Sequence, residues 1–319
     1  MNTARLVETA DNLAPPGARL HALKTADGVT LRAATWLPAR TRRGTILVCT
    51  GRTEFIEKYF EFIGEILERG YAVACFDWRG QGLSQRLLDD PTKGHVDSFA
   101  AYDRDMDAAV DGLLAEMPKP WVLFGHSMGG HVALRHLARR PADFERAFLS
   151  APMLRIWLPW SLRLISGGLA AAMCAAGRGQ AFTPGGAGND GLAIPFKDNR
   201  VTGDPVRYRR NNDILRAEPA LALCGPTWRW LRAAFASMRL LRRPAFAARI
   251  VCPLLIVGAA HDEVVHQGPD LTLIRRVRRG LFVLFSDARH ELVQERDRVR
   301  RVMWHAVDAF LDSASDAGL

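Results

Sequence analysis

Short apolar runs alternate with longer amphipathic stretches along the first half of the chain. The apolar runs predict buried strands at residues 45–50, 72–77, 121–124 and 147–150. Stretches with apolar residues at helical spacing predict helices at about 59–69, 99–116 and 127–139. Because strands connected by helices usually run parallel, this alternation indicates a largely parallel sheet with helices on both faces.

A hairpin precedes the alternation. Residues 20–25 and 29–38 are rich in residues that favour strands, and they flank Ala26, Asp27 and Gly28. Asp followed by Gly between two such runs is a strong turn signal. An antiparallel pair of strands is therefore expected to open the fold.

The alternation stops after residue 151 and resumes at residue 253. The second part predicts, in order, a strand at 254–258, a helix at about 269–279, a strand at 281–285 and a closing helix at about 291–311. The segment between the two parts contains tryptophans and a middle rich in Gly, Pro and Ala, and it does not repeat the strand–helix pattern. We interpret it as an inserted cap at 152–247, within a core made of residues 1–151 and 248–319.

The charge of the chain is concentrated in this inserted segment. The 319 residues carry a formal net charge of +9, yet residues 153–249 hold 15 Lys or Arg against 5 Asp or Glu, and the remainder holds 28 against 29. No nucleic-acid-binding motif accompanies the basic excess, so we expect no nucleic-acid partner. Peripheral contact of the basic cap with a membrane stays open, and the oligomeric state is not predicted.

Composition favours the cytoplasm. Five widely spaced cysteines, an odd number, indicate a reduced compartment. Residues 1–16 lack an apolar core and predict no signal peptide. The longest uncharged apolar stretch, 164–177, is too short to span a bilayer. We expect a cytoplasmic protein, and peripheral association with the inner face of the membrane is open.

Residues 125–130, Gly-His-Ser-Met-Gly-Gly, join a predicted strand to a predicted helix. Glycines two positions before and after Ser127 permit a sharp, crowded turn that holds the serine hydroxyl at the end of the strand. This G-x-S-x-G pattern is typical of a nucleophilic serine. The alternative is a glycine-rich helix start that binds an anion or nothing.

A serine nucleophile needs a general base and an acid that orients the base. Asp262 follows the strand at 254–258, and His290 follows the last predicted strand, so both lie at carboxyl ends of strands and in the expected order. Glu263 is an alternative acid, but the position after the acid is usually exposed. His261 and His266 lie in the loop of the acid, and we expect a structural role for His126.

The oxyanion of the reaction needs backbone donors. The N–H of Met128 and that of Arg52, in the loop after the first parallel strand, are the predicted pair. The Arg52 side chain is then free, either to meet an anionic substrate group or to lie in solvent. Because the chain has no metal-binding or nucleotide-binding motif, we expect no cofactor and no metal.

With these residues assembled, the chain resembles the α/β-hydrolase superfamily, and within it the serine aminopeptidase-like group that contains monoacylglycerol lipases and bacterial lysophospholipases. The resemblance rests on residues 50–54, 76–84 and 125–130, on Asp262 and on residues 290–291. It implies a mostly parallel eight-stranded sheet flanked by helices, with an inserted helical cap. Thr50 and Phe55 replace two histidines typical of monoacylglycerol lipases, so the chain looks more like the lysophospholipases.

The expected activity is hydrolysis of a carboxylic ester of a single-chain lipid, first a lysophospholipid and second a monoacylglycerol, through an acyl-enzyme on Ser127. A general short-chain esterase or another acyl hydrolase is the alternative within the enzyme class, and a non-catalytic binding module is the alternative outside it. Residues 153–182 mix apolar side chains with Arg155, Arg163 and Arg178. These could line an acyl tunnel with arginines at the headgroup, or form an ordinary packed cap with solvated arginines.

Overall fold

The computed structural model of the chain describes residues 5–40, 43–188 and 194–313. They form an eight-stranded sheet with the order β1-β2-β4-β3-β5-β6-β7-β8. β2 pairs antiparallel with β1 and β4, and the remaining neighbours are parallel. The strands are β1 Arg19–Lys24, β2 Thr30–Trp36, β3 Thr45–Cys49, β4 Ala72–Phe76, β5 Trp121–His126, β6 Arg146–Ser150, β7 Leu254–Ala259 and β8 Gly280–Phe285. The predicted opening hairpin and mostly parallel sheet are confirmed.

Helices cover this sheet and fill the segment between β6 and β7. They are α1 Phe60–Glu68, α2 Phe99–Ala108, α3 Met128–Arg139, α4 Trp160–Ala175, α5 Pro205–Ala217, α6 Trp228–Leu241, α7 Pro244–Ala247, α8 Gly268–Ile274 and α9 Asp297–Asp312. None of these helices, within the ranges that the structure describes, is long and apolar enough to cross a membrane.

The central strands are apolar because both of their faces are covered. Every residue of β3, β4, β6 and β7 is buried. On one flank α1 packs against α9, where the rings of Phe62 and Trp304 stack with centroids 5.2 Å apart. Burial on both faces explains why these strands read as continuous apolar runs rather than as alternating patterns.

Parallel register collects the carboxyl-end loops at one edge. Cys49 of β3 pairs with Gly125 of β5, and Gly125 pairs with Leu149 of β6. β7 and β8 end in register with each other, at Ala259 and Phe285. The loops after β3, β5, β7 and β8 therefore start at the same edge of the sheet, which is where open α/β sheets bind ligands.

The closing helix begins later than its apolar pattern predicts. α9 starts at Asp297, and residues 291–295 form a short turn instead of the predicted first helical residues. The N–H of Glu291 donates to the Val201 carbonyl at 2.8 Å, and the Gln294 amide donates to the Lys58 carbonyl at 2.8 Å. These bonds to other parts of the fold replace the helical ones, while buried Leu292 and Val293 continue the apolar pattern.

Two other predicted helices also differ from the structure at their ends. The helix predicted at 99–116 is α-helical only to Ala108. It continues as a wider π-helical turn at Ala109–Leu113 and a tighter 3-10 turn at Leu114–Glu116. The helix predicted at 269–279 ends at Ile274, because the chain turns there to enter β8. A Cβ on Gly280 would lie 2.6 Å from the Ile274 carbonyl oxygen, so this turn is tight.

Candidate active site

Ser127 lies in the sharp turn between β5 and α3. β5 ends at His126 and α3 begins at Met128, so the serine alone joins strand to helix. Its φ of 50° is in a region that non-glycine residues rarely adopt. A Cβ on Gly129 would lie 2.2 Å from the Cys49 carbonyl oxygen, and one on Gly125 would lie 2.8 Å from the Gly130 Cα. Glycine is therefore required on both sides of the serine.

The structure brings Ser127, His290 and Asp262 into one chain of hydrogen bonds. His290 Nε2 lies 2.9 Å from Ser127 Oγ, and His290 Nδ1 lies 2.7 Å from Asp262 Oδ2. The serine and the histidine are both buried, with 8% and 4% of their surface exposed. His290 lies 163 positions after Ser127 and 28 positions after Asp262, and only the shared edge of the sheet places the three residues together.

Asp262 is held by the loop that carries it. Its Oδ1 accepts the backbone N–H groups of Val264 and Val265, both at 2.8 Å, and the Gln267 amide donates to Oδ2 at 3.0 Å. Burial opposes ionisation, but His290 and the two backbone donors outweigh it and lower the pKa of Asp262. The carboxylate is therefore fixed and charged beside the imidazole.

The neighbouring Glu263 is not placed for this role. Its side chain is exposed and lies 3.4 Å from Arg200 in a surface ion pair. His126, also weighed from the sequence, is buried, and burial lowers its pKa to about 4. A neutral ring is held there by the Ser150 carbonyl, 3.1 Å from Nδ1.

The backbone N–H groups of Arg52 and Met128 donate to no acceptor in the described parts of the chain. The neighbouring amides of the same loop are occupied, since Gly51 N–H donates to Glu54 and Thr53 N–H donates to Gln81 at 2.6 Å. Met128 N–H also lies at the N-terminus of α3, where the helix dipole favours negative charge. Both predicted oxyanion donors are thus unoccupied.

A cavity of ≈ 470 Å³ opens above Ser127 and His290. Its volume falls within the roughly 300–1,000 Å³ typical of small-molecule sites. Most of its wall is apolar, including Met153, Ile156, Leu158, Leu162, Ile165, Leu169, Trp228, Trp230, Leu231, Val264 and Val265. The segment between β6 and β7 supplies most of these side chains.

The arginines of residues 153–182 do not line this cavity. Arg155 and Arg163 line an adjacent cavity of ≈ 460 Å³, together with Arg239 and Arg242, and the two cavities share Ile156, Leu158 and Ser166. The apolar side chains of this segment thus line the cavity, and the role of Arg155, Arg163 and Arg178 at a headgroup stays a prediction. α4 carries one of these arginines, Arg163, and contributes Leu162, Ile165 and Leu169 to the wall of the cavity.

Comparison with protein families gives one match over most of the chain. The model of the family described as serine aminopeptidase, S33 matches residues 40–297. The chain belongs to this family. The predicted membership of the serine aminopeptidase-like group is confirmed.

Two bacterial lysophospholipases are among the proteins that are similar in sequence to this S33 chain. The probable lysophospholipase L2 of Haemophilus influenzae is 30% identical over 279 residues, which cover 87% of each chain. The lysophospholipase L2 of Escherichia coli K12 is 32% identical over 280 residues, covering 84% of this chain and 80% of its own. Human monoglyceride lipase is 31% identical over 135 residues, covering 41% of this chain and 42% of its own.

Solved structures confirm the α/β-hydrolase fold of the S33 chain. A soluble variant of monoglyceride lipase from Saccharomyces cerevisiae, in complex with a substrate analog, superposes with a TM-score of 0.73 at 18% identity, covering 95% of this chain and 98% of its own. A thermostable carboxyl esterase from Bacillus coagulans gives a TM-score of 0.74 at 18% identity, with coverage of 95% and 99%.

One feature of this S33 site was not found from the sequence: a buried ion group behind the oxyanion loop. Lys58 Nζ lies 2.8 Å from Glu54 and 2.7 Å from Glu291, and all three side chains are buried. Glu54 also accepts the Tyr59 hydroxyl at 2.5 Å. The only sequence signals were the spacing of Glu54 and Lys58, which suits a helical ion pair, and the position of Glu291 next to His290.

The two carboxyl groups of this buried group differ in pKa. Although burial raises the pKa of both, Lys58, His126 and Tyr59 lower that of Glu54 to about 2. Glu291 has Lys58 as its partner and a second oxygen without one, so its pKa stays above the usual value. Glu54 is therefore the charged anchor of the loop that carries Arg52.

Within the described ranges, no group of three or more His, Cys, Asp or Glu could hold a metal ion.

Proposed function

We propose that this chain hydrolyses the carboxylic ester of single-chain lipids, first a lysophospholipid and second a monoacylglycerol, through an acyl-enzyme on Ser127. The observation that carries the proposal is the hydrogen-bonded series Asp262–His290–Ser127 at the floor of an apolar cavity. A non-catalytic binding module would have no need for all three groups in this geometry.

Acylation begins when the Ser127 hydroxyl attacks the ester carbonyl while His290 Nε2 accepts its proton. Asp262 holds the imidazole by Nδ1 and stabilises the imidazolium that forms. The oxyanion of the tetrahedral intermediate accepts the N–H groups of Met128 and Arg52. His290 then protonates the leaving alkoxide, and the acyl group stays on Ser127.

Deacylation repeats these steps with water. His290 takes a proton from a water molecule, which attacks the acyl-enzyme carbonyl, and the same two amides stabilise the second oxyanion. Collapse of this intermediate returns the proton to Ser127 and releases a fatty acid. No step requires a cofactor.

The preference for a lysophospholipid is supported by the coverage of the relatives. Similarity to the lysophospholipases extends over 84–87% of the chain and therefore includes the segment that walls the cavity. Similarity to human monoglyceride lipase extends over 41%. Because the substrate meets the cavity wall, likeness over the whole chain is the better guide to the substrate.

Residues 152–247 form the cap of this enzyme, within a core of residues 1–151 and 248–319. The described residues of this segment contribute α4, α5, α6 and α7 and no strand of the sheet. Its side chains, among them Ile156, Leu162 and Trp228, form the roof over Ser127. Substrate preference in such an arrangement depends on the cap, while the chemistry depends on the core.

The cap also supports peripheral contact with an anionic membrane. Trp160 and Leu164 of α4 are 74% and 73% exposed, which is unusual for side chains of this size. Arg155 and Arg163 lie on the same stretch of chain and carry no ion pair to any described residue. Apolar side chains next to free cations are the combination that binds the interface of a bilayer with anionic lipids.

Labelling by a fluorophosphonate probe tests the catalytic proposal. The native protein should be labelled at Ser127, and Ser127→Ala should lose both labelling and ester hydrolysis. Equal labelling of the variant, or none of the native protein, would contradict an acyl-enzyme on Ser127.

A hydrolysis panel tests the substrate. Lysophospholipids and monoacylglycerols of one acyl chain length, and short p-nitrophenyl esters, should all be compared by kcat/KM. Turnover of the short soluble esters alone would remove the lipid assignment while keeping the esterase.

A further inference from the structure

Arg52 places a cation inside the cavity. Among the described residues that line the cavity over Ser127, it is the only arginine or lysine. Its side chain does not lie in solvent, as one interpretation of the sequence expected. It runs from the oxyanion loop to the cap, where Nη2 donates to the Cys224 carbonyl at 2.6 Å and the guanidinium carbon lies 5.3 Å from the centre of the Trp230 ring.

This cation has no counter-ion. Arg52 forms no ion pair with any carboxylate of the described ranges, and its buried Nε has no hydrogen-bond partner. The two carboxyl groups that line the same cavity, Glu54 and Glu291, both pair with Lys58 instead. Burial lowers the pKa of Arg52 to about 10, which leaves it charged at neutral pH. A guanidinium withdrawn from water without a carboxylate is costly, and an anion in the cavity would compensate it.

The guanidinium is also held in place before any ligand arrives. The Cys224 carbonyl and the Trp230 ring fix it from the side of the cap. Gly94 allows a close approach from a third side, since a Cβ there would lie 2.6 Å from Nη2. A guanidinium has five N–H donors, and among the described residues the bond from Nη2 to the Cys224 carbonyl is the one that uses them. Such a fixed fork suits two-point recognition of a phosphate.

We propose that the Arg52 side chain binds the phosphate of a lysophospholipid in this cavity and makes the enzyme select phosphate-bearing over neutral single-chain esters. This inference rests on the proposed function. Arg52 would meet its substrate at two points, with the backbone N–H at the ester oxyanion and the side chain at the phosphate. A lysophospholipid carries both groups on one glycerol, whereas a monoacylglycerol lacks the phosphate.

The decisive measurement is the ratio of kcat/KM for a lysophospholipid to that for a monoacylglycerol with the same acyl chain, both below their aggregation concentrations. Arg52→Met should lower this ratio roughly 10- to 100-fold, the scale of losing a hydrogen-bonded contact to a charged group. Arg52→Lys keeps the charge but not the fork of N–H donors, so its ratio should lie between that of the native enzyme and that of Arg52→Met. Arg216→Met, at an exposed arginine paired with Asp213, is the matched control and should keep the native ratio.

A ratio separates this role from a purely structural one. If Arg52 only fastens the oxyanion loop to the cap through Cys224, both substrates lose activity equally and the ratio is unchanged, which overturns the proposal. If the native enzyme hydrolyses neither substrate, that result counts against the proposed function instead.

A binding measurement on the native enzyme covers the case in which Arg52→Met does not fold. A 1-O-alkyl glycerophosphate and the matching 1-O-alkyl glycerol have no carboxylic ester to cleave, and each can be tested as a competitive inhibitor of p-nitrophenyl ester hydrolysis. The phosphate analogue should inhibit at least 10-fold more tightly. Equal inhibition constants would overturn the role of Arg52 while leaving the esterase intact.

Discussion

Ser127 adopts its unusual backbone conformation because three hydrogen bonds hold it. Its N–H donates to the Ser150 carbonyl, and its own carbonyl accepts from His131 and Met153, each at 3.0 Å. A sparsely populated backbone conformation with positive φ in a non-glycine residue costs about 1–3 kcal/mol, which the surrounding structure must offset. The strain is stored at the residue whose hydroxyl faces His290, as is common at functional sites.

Gly129 is the residue on which this geometry depends most directly. In Gly129→Ala the added Cβ would lie 2.2 Å and 2.4 Å from the carbonyl oxygens of Cys49 and Thr50, so α3 must move away from the loop after β3. We expect the free energy of unfolding to fall by about 1–3 kcal/mol. We expect kcat/KM to fall at least ~100-fold, because Met128 N–H and Arg52 N–H no longer converge.

Gly64 of α1 provides the matched control for this substitution. A Cβ there meets no heavy atom within 4 Å, and alanine favours a helix by up to about 1 kcal/mol. Gly64→Ala should therefore keep native activity and equal or exceed native stability in urea denaturation. Native activity in Gly129→Ala would show that the crowding is relieved without moving the site.

At the scale of elements, Glu61 connects the cap helix α5 to the core helices α1 and α9. Its carboxylate accepts from Arg207 at 2.5 and 2.9 Å and from Arg210 at 2.6 Å, both on α5, and it lies 3.7 Å from Arg300 on α9. Burial raises the pKa of Glu61, but these arginines outweigh burial and lower it from 4.5 to about 2. One carboxylate thus joins three helices that are distant in sequence.

The lowered pKa of Glu61 makes this connection depend on pH. A group whose folded pKa is depressed stabilises the fold above its unfolded pKa, and this contribution disappears as the pH falls towards the folded pKa. Allowing for the 27% exposure of the side chain, Glu61→Gln should lower the free energy of unfolding by about 1–3 kcal/mol at pH 7. The gap to the native protein should narrow progressively from pH 4.5 towards pH 2.

Urea denaturation across this pH range checks the prediction. Glu68→Gln, at an exposed glutamate of the same helix, should show no such gap at any pH. A constant difference between Glu61→Gln and the native protein from pH 7 to pH 3 would show that the ion pairs are not its source.

At the scale of the whole molecule, the predicted catalytic residues and the excess of basic residues lie in different parts of the chain. The core holds Ser127, Asp262 and His290, while residues 153–249 hold the basic excess. The exposed apolar residues of α4 lie on that same segment. We therefore expect the cap to attract an anionic bilayer both by its basic charge and by these apolar side chains.

Co-sedimentation with vesicles checks the contact with a membrane. The native protein should bind vesicles that contain phosphatidylglycerol more than purely zwitterionic ones, and added salt should weaken the binding. The double substitution Trp160→Ser and Leu164→Ser should lower the partition coefficient at least ~10-fold, since each buried side chain contributes about 1.5–3 kcal/mol. Leu13→Ser, at a leucine that is 66% exposed in the N-terminal segment, is the control and should bind normally.

Much of the fold follows from the sequence alone, because each strand of the sheet and each helix that covers it leaves a local pattern of apolar residues. The covered strands read as apolar runs, and the helices as apolar residues at a spacing of three and four. Ser127, Asp262 and His290 could be singled out for the same reason: each follows a recognisable strand, and parallel strands end at one edge. Their catalytic roles stay predictions until the labelling is done.

The tertiary structure alone decided which distant side chains meet. It placed Leu162, Ile165 and Leu169 of α4 in the wall of the cavity, and Arg155 and Arg163 at the adjacent one. It also buried Lys58 between Glu54 and Glu291, and it started α9 at Asp297. The Arg52 side chain shows the difference most clearly. The sequence left it between solvent and substrate, and the packing of the cap placed it in the cavity with no carboxylate of the described ranges as its partner. Local sequence reports burial and backbone geometry, whereas the partner of a charged side chain depends on residues brought near only when the whole chain packs.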